Sequence, residues 1–263
     1  MAGVSNKMTQ AITARPVNFL IAGAQKSGTT TLHAYLKQHS EIGMATKKEV
    51  HFFNQEHLFK KGGDYSFYHS FFDFSLEQKM RGEVTPAYMY SRDAPRRIWE
   101  YNPKMKIIII LRNPIDRAYS HWNMEKNRGA EELSFREALE QEESRSRLVL
   151  PSQDYRHSYI DRGYYVSQIR EMWRLFSRKQ VLVLNYDALC NDYVQVLVAI
   201  YDFLGVSNNR DSYQYNGDKV LHKGCYAEEI KEVDKLFLKN IYACEIKQIE
   251  NLLGWNCSSW LRF

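Results

Sequence analysis

The sequence predicts an α/β fold in which helices cover both faces of a mainly parallel sheet. Short apolar, β-branched runs recur along the chain, and amphipathic segments of helical period separate them. A chain of 263 residues is also long enough to form one sizeable domain. We therefore expect a flexible N-terminus over residues 1–15 and a single domain over residues 16–263.

Composition limits the possible ligands and location. The net charge of +5 is mild and dispersed, so it favours an anionic ligand but not a nucleic-acid polymer. Residues 1–15 contain no apolar stretch, and the longest aliphatic run is IIII at 107–110, so we expect neither a signal peptide nor a membrane anchor. The four cysteines lack C-x-x-C spacing, which favours reduced thiols in a cytoplasm and no bound metal. The oligomeric state is not indicated.

The first half of the chain begins with an apolar strand that ends in glycine. Leu32, Tyr35 and Leu36 then recur at helical spacing, and Pro95 is tolerated near the first turn of a later helix. The predicted elements here are a strand at 16–23, a helix at 29–39, a short apolar piece at 41–45, a brief strand within 79–85 and a helix at 92–102.

The second half contains the clearest central strand, at 105–111, after which Pro114 opens a helix. Ser134 and Glu137 form a capping box at the start of another helix, and Gly205 marks a helix end. The predicted elements here are the strand at 105–111, helices at 115–126, 134–143 and 164–176, a buried strand within 179–189, and helices at 192–205 and roughly 226–252.

Ligands of such sheets bind beyond the carboxyl ends of the strands. The topology therefore predicts one site that is formed by residues 23–31, 83–86, 112–113 and Tyr186.

A glycine-rich turn after the first strand indicates a phosphate site. The segment GAQKSGTT (23–30) is similar to a Walker loop, but its lysine, Lys26, precedes the second glycine. A strand, turn and helix N-terminus present free N–H groups and the positive end of the helix dipole to an anion. The alternative is that residues 27–30 only cap the helix. Together with the element order, the turn predicts a P-loop-like three-layer fold.

The same turn argues against a magnesium–ATP site. Lys26 is not placed to reach β and γ phosphates, and no apolar strand ends directly in an aspartate. The strand at 105–111 is followed by Arg112, and Asp187 comes two residues after its strand, where helix capping is the better explanation. We therefore expect an anionic donor that is handled without metal. A small-molecule kinase on a variant loop remains the alternative enzyme.

Several segments together resemble the sulfotransferases that use 3′-phosphoadenosine 5′-phosphosulfate (PAPS). GAQKSGTTTLHAYL (23–36) looks like their 5′-phosphosulfate loop, LRNPIDRAYSHW (111–122) like their 3′-phosphate segment, and KKEVHFFN (47–54) like their catalytic strand. The chain is most similar to the heparan-sulfate N- and O-sulfotransferase branch and its small bacterial relatives. The resemblance continues through GEVTPAY (82–88), RGYYVSQIREMW (162–173), VLVLNYDAL (181–189) and HKGCY (222–226), and so covers nearly the whole chain from about residue 17.

This resemblance implies binding of PAPS and release of 3′-phosphoadenosine 5′-phosphate (PAP). Lys26 would stabilise the charge that develops on the leaving phosphate, while the loop backbone and threonine hydroxyls hold the 5′-phosphate. Arg112 and Ser120 would hold the 3′-phosphate, the alternatives being a surface salt bridge and a structural serine. The implied nucleotide-binding residues are Lys26, Ser27, Gly28, Thr29, Thr30, Thr31, Arg112, Ser120, Tyr165, Lys223 and Gly224.

Two parts of that set have their own alternatives. Tyr165 is either a nucleotide contact or a core tyrosine. Lys223 and Gly224, with Lys219 as a weaker match, would belong to a loop that closes over the nucleotide.

The segment 47–54 supplies two candidates for the catalytic base. If it is extended, Glu49 and His51 project onto one face. The resemblance implies that Glu49 is the base and that His51 orients substrate or supports Glu49, whereas another branch of the family uses a histidine base. The alternative is a helix-end charge and a core histidine.

The acceptor side carries weaker indications. Glu83 and Thr85 are predicted to line the substrate pocket, together with His51, although Glu83 has a structural role as its alternative. Val84 stands where many relatives have a lysine that touches the acceptor or the sulfuryl group, which weakens a polysaccharide as acceptor. His33, Lys47 and Lys48 are open candidates, the alternative being exposure to solvent.

We therefore predict a cytoplasmic, PAPS-dependent sulfotransferase that acts on a hydroxyl or amine. A small metabolite is the expected acceptor, and the resemblance extends to enzymes that tailor natural products, including guanidinium alkaloids of the saxitoxin type. The non-enzyme alternative is a protein that binds PAPS without turnover.

Overall fold

The computed structural model describes residues 16–60, 62–208, 226 and 228–262. Within this part, five strands form one sheet in which every neighbouring pair is parallel. The strands are β1 (Phe19–Gly23), β2 (Ile42–Met44), β3 (Met80–Val84), β4 (Lys106–Leu111) and β5 (Val181–Asn185). Their spatial order is β2-β3-β1-β4-β5, which confirms the predicted α/β class with a parallel sheet.

Ten α-helices connect or flank these strands in the described part of the chain. They are α1 (Thr29–Leu36), α2 (Glu56–Phe59), α3 (Tyr65–His69), α4 (Ala94–Tyr101), α5 (Pro114–Asn127), α6 (Phe135–Leu148), α7 (Tyr165–Leu175), α8 (Tyr186–Asn191), α9 (Tyr193–Leu204) and α10 (Glu232–Leu253). Short 3₁₀ helices lie at Asp161–Gly163, Arg178–Gln180 and Ser258–Leu261.

Alternate residues of the central strands face two apolar cores. On β4, Ile107 and Ile109 belong to the core that helices α4, α5, α7 and α10 cover. Ile108 and Ile110 belong to the opposite core, which α1 and α9 cover. All four isoleucines are fully buried, so the continuous apolar run reflects a strand with helices on both faces.

Local sequence signals set several element ends as expected. Asn113 caps α5 with Pro114 at its first position, and Ser134 and Glu137 form the capping box of α6. Gly205 ends α9 in the left-handed conformation. Asp187, in contrast, does not cap α8: its cap is Asn185, and the Asp187 carboxylate accepts a hydrogen bond from the Trp260 indole at 3.0 Å.

The predicted strand at 47–54 is wrong. This segment is a loop, and its Glu49 and His51 adopt φ values of 60° and 58°. Its amide groups donate to β3 and to side chains just after it, including a 2.9 Å bond from Glu49 N to the Val84 carbonyl. These long-range hydrogen bonds take the place of regular strand pairing. The sequence pattern does not predict them.

None of the described helices is long and apolar enough to cross a membrane. The expected flexible segment 1–15 lies outside the described residues, and the single domain over 16–263 stays a prediction.

Candidate active site

The turn between β1 and α1 forms a cradle of backbone and hydroxyl groups. Gly28, the N-cap of α1, has a φ of 86°, and a Cβ there would meet the Tyr186 ring at 3.0 Å. Lys26 is also left-handed, with a φ of 68°. The Ser27 side chain is fully buried, and its Oγ has no hydrogen-bond partner among the described residues. Such an unsatisfied donor at a helix N-terminus fits an anion.

Arg112 and Ser120 lie beside this cradle, as the sequence predicts. The Arg112 guanidinium follows β4 directly, donates to the Lys26 carbonyl at 3.3 Å and lies 4.9 Å from the centre of the Tyr186 ring. Ser120 is buried on α5 and lines the same cavity. Because strands β1 and β4 are neighbours, their carboxyl ends bring the turn and Arg112 together.

Tyr165 does not line this cavity. It is fully buried, burial raises the pKa of its phenol to about 12, and its hydroxyl donates to the Arg112 carbonyl at 3.0 Å. The structure thus favours the core tyrosine over the predicted nucleotide contact, with Tyr165 supporting the backbone of Arg112.

The cradle concentrates positive charge. Burial lowers the pKa of Lys26, and the nearby Arg128 and Arg112 lower it further. Burial acts to lower the pKa of Arg112, but Asp116 and the nearby tyrosines outweigh it and raise the pKa, which favours the charged form. A bound anion would relieve the repulsion between these cations, so the charges as well as the geometry suit a phosphate or a sulfate ester.

Glu49 and His51 face the same cavity from the other side. Glu49 Oε1 lies 2.5 Å from Lys48 Nζ, and its Oε2 lies 3.6 Å from His51 Nε2. Contact with His51, followed by Lys48, lowers the pKa of Glu49 to about 2 despite its partial burial. His51 Nδ1 lies 3.3 Å from Asn54 Oδ1. The carboxylate is therefore ionised and held between two basic side chains.

Glu83 and Thr85 were expected to touch substrate, and the structure places them elsewhere. Both are fully buried below the loop that carries Glu49, and Thr85 Oγ1 donates to Glu83 Oε2 at 2.6 Å. Burial raises the pKa of Glu83. The Val84 side chain is buried in the core that α1 and α9 cover, so it does not line the cavity. The open alternative for Glu83, a structural role, is the one the structure supports.

A single cavity of about 1290 Å³ joins the two sides. Residues with no predicted role also line it, and the chain that follows α6 contributes the largest group of them. The lining residues that were missed are Asn54, Gln55, Ala87, Met124, Glu125, Arg128, Ala130, Val149, Gln153, Asp154, Tyr155, Arg156, His157 and Arg162. Lys48, left open between acceptor and solvent, lines it as well.

Several candidate site residues either do not line the cavity or lie outside the described residues. Lys219, Lys223 and Gly224 lie outside the described residues. Lys47 places its Nζ 5.9 Å from the centre of the Phe71 ring. Burial lowers the pKa of His33, followed by repulsion from Lys48. No group of three or more His, Cys, Asp or Glu side chains in the described ranges is arranged to hold a metal ion.

Comparison with known proteins decides the family. The pattern of the sulfotransferase domain matches residues 16–240, most of the chain. The chain belongs to the sulfotransferase family. Human bifunctional heparan sulfate N-deacetylase/N-sulfotransferase 3 is 30% identical over 228 residues, which are 81% of this chain and 25% of that protein. This chain therefore spans about a quarter of the length of that relative.

Solved sulfotransferase structures agree with the fold. The sulfotransferase from Alicyclobacillus acidocaldarius has a TM-score of 0.81 at 30% identity, with 94% of this chain and 99% of that chain covered. Mouse sulfotransferase SULT7A1, solved in complex with PAP, has a TM-score of 0.57 at 16% identity, with 95% and 92% covered. The predicted family, enzyme class and P-loop-like fold are confirmed.

Proposed function

We propose that this sulfotransferase uses PAPS as donor and moves its sulfuryl group to an amine or hydroxyl. The main support is that one cavity joins the cradle of Lys26, Arg112 and Ser120 to the Glu49–His51 pair. Binding of PAP by a mouse protein of the same fold, and the resemblance of the motifs, support the choice of nucleotide.

On the donor side, the turn between β1 and α1 would hold the 5′-phosphate through its N–H groups and the hydroxyls of Thr29 and Thr30. Arg112 and Ser120 would hold the 3′-phosphate. As the S–O bond to the 5′-phosphate breaks, its electron pair stays on the phosphate oxygen of PAP. Lys26 would stabilise this charge, and in a partly buried site such stabilisation is worth more than in water.

On the acceptor side, Glu49 would accept the proton of the attacking hydroxyl or amine as the new bond to sulfur forms. A carboxylate with a pKa of about 2 is ionised at neutral pH, and it is a weak base. Its role thus depends on placement more than on proton affinity. His51 would orient Glu49 or the acceptor through its 3.6 Å contact.

The lining of the cavity also bears on the acceptor. Its Lys and Arg side chains are Lys26, Lys48, Arg112, Arg128, Arg156 and Arg162, and its acidic side chains are Glu49, Glu125 and Asp154. Each of these acids already has a basic partner, in Lys48, Arg128 and His157. A cationic guanidinium alkaloid would find no uncommitted carboxylate among them, so we favour a small neutral or acidic acceptor.

Transfer assays with radiolabelled PAPS test this proposal. Two probes span the acceptor chemistry: N-acetyltyramine, a small neutral phenol, and de-N-sulfated heparin disaccharides, which are small, acidic and carry a glucosamine amine. We expect labelled product from at least one probe and a loss of about 10²-fold or more in kcat for Glu49→Gln, the size of a general-base contribution. PAP should bind the variant as tightly as the unaltered protein.

Glu132→Gln is the matched control, because this glutamate lies outside the cavity. If both probes fail while PAP binds, the acceptor class is wrong. If Glu49→Gln transfers sulfate at the normal rate, Glu49 is not the base.

A further inference from the structure

The loop that carries Glu49 and His51 has a backbone conformation that its residues do not favour. Both have φ near 60°, a region that is unfavourable for residues with a Cβ. Val50 and Phe52, which alternate with them, are buried to 4% and 0% exposure. This alternation turns Glu49 and His51 towards the cavity. Bonds from outside the loop must therefore hold it.

Side chains at the end of β3 and just after it accept those bonds. Three successive amide groups of the loop donate to them: Val50 N to Glu83 Oε2 at 3.4 Å, His51 N to Thr85 Oγ1 at 3.4 Å and Phe52 N to Tyr88 Oη at 3.0 Å. Each loop amide thus has its own acceptor, and all three acceptors lie within six residues of one another.

The Glu83 carboxylate fixes the direction of these bonds. The Thr85 hydroxyl donates to its Oε2 at 2.6 Å, and the Tyr88 hydroxyl donates to its Oε1 at 2.7 Å. Because each hydroxyl has one proton, both are left to accept from the loop amides. All three side chains are fully buried, where a mismatched donor or acceptor is costly.

We propose that Glu83, Thr85 and Tyr88 are positioning residues that hold the loop 49–52 so that Glu49 and His51 face the cavity. Their effect on transfer rests on the proposed function, since it acts through Glu49. The conformation of the loop is a property of the fold, so its stability can be measured without an acceptor.

Amide hydrogen exchange of the whole chain, followed residue by residue by NMR, tests whether these side chains hold the loop. Thr85→Val keeps the shape of the side chain but removes the hydroxyl, and we expect faster exchange at His51. Tyr88→Phe should do the same at Phe52. Thr85→Ser keeps the hydroxyl and should retain protection. Unchanged exchange at His51 and Phe52 in the first two variants would overturn the proposal.

Tyr101→Phe is the control for general loosening of the core. Its ring packs 5.7 Å from that of Phe53, within the same aromatic cluster, but its hydroxyl accepts from Val17 N. We expect this variant to leave exchange at the loop unchanged.

Transfer from PAPS gives a second readout. In Thr85→Val and Tyr88→Phe, kcat should fall about 10- to 100-fold, as misplacement of a reacting group by about 1 Å does. The Kd for PAP should stay within about twofold of normal, and Thr85→Ser should restore kcat. A loop that exchanges faster while kcat is normal would also overturn the proposal. If the unaltered protein transfers to neither probe but the exchange results hold, only the proposed function fails.

Discussion

The charge state of Glu49 is set by its two neighbours. His51 and then Lys48 hold its pKa at about 2, so the carboxylate is ionised across the whole range in which enzymes are usually assayed. At the same time, this pairing makes it a weaker base than an isolated glutamate. The residue can act only where the loop holds it against the acceptor.

The pH dependence of transfer distinguishes the two candidate bases. The folded-state pKa of Glu49 is lowered, so this carboxylate loses its charge only as the pH falls towards 2. Between pH 5 and 8 we therefore expect Glu49→Gln to reduce kcat by the same factor at every pH. Measuring both proteins on the same acceptor cancels the acceptor's own titration.

Histidine, in contrast, ordinarily titrates within that range. If Glu49→Gln keeps a normal kcat while a transition in the kcat of the unaltered protein disappears in His51→Asn, His51 is the base instead.

Residue types could be predicted from the sequence better than their environments. Lys26, Arg112, Ser120, Glu49 and His51 all reach one cavity. Lys26 and Arg112 follow recognisable strands, and the other three were assigned because their segments resemble those of the family. Their exact setting could not be predicted, since the left-handed loop depends on buried partners about 35 residues away. For the same reason, Glu83 and Thr85 were placed in the pocket instead of below it.

Among the secondary-structure elements, those with strong local signals were predicted correctly. Continuous apolar runs gave β1 and β4, and the capping box gave the start of α6. The segment 149–157, which walls the cavity, has no periodic pattern, so sequence reasoning could not place it. Where tertiary contacts determine the backbone conformation, the local sequence pattern does not predict it.

Helix α6 carries a second titrating carboxylate, Glu142, which does not line the cavity. Glu142 accepts from Ile160 N at 2.6 Å and from Asp161 N at 2.8 Å, at the start of a 3₁₀ helix. Burial raises its pKa to about 7, although the two backbone bonds work against this. The carboxyl is therefore expected to be protonated in the folded protein at mildly acidic pH.

This shift predicts a pH-dependent stability. Between pH 4.5 and 7 the folded chain binds the Glu142 proton and the unfolded chain does not, so the free energy of unfolding decreases as pH rises. Relative to Glu142→Gln, the unaltered protein should lose about 3 kcal/mol over this range. Urea unfolding at several pH values measures the difference.

Glu143→Gln is the control on the same helix, because the Glu143 side chain is 78% exposed. If the difference between the unaltered protein and Glu142→Gln stays constant from pH 4.5 to 7.5, Glu142 does not carry the predicted shift.

For the whole molecule, the parallel sheet explains why the candidate residues meet. The carboxyl ends of β1, β3, β4 and β5 lead to the Lys26 turn, the Glu83–Tyr88 network, Arg112 and Tyr186. Adjacent strands therefore carry the donor cradle and the support of the loop 49–52 to one edge. That arrangement is the most general part of the prediction from sequence, because it needs only the order of strands and helices.

The central claim is that this edge binds a nucleotide through its 3′-phosphate as well as its 5′-phosphate. Thermal unfolding with PAP, with adenosine 5′-phosphate, which lacks the 3′-phosphate, and with ATP–Mg²⁺ tests it most directly, on the unaltered chain and on Arg112→Ala. A ligand at 100 times its Kd stabilises by about 2.7 kcal/mol, or roughly 5 °C or more. We predict that PAP alone gives this shift and that Arg112→Ala loses it. Equal stabilisation by adenosine 5′-phosphate, or stabilisation by ATP–Mg²⁺ instead of PAP, would contradict the account.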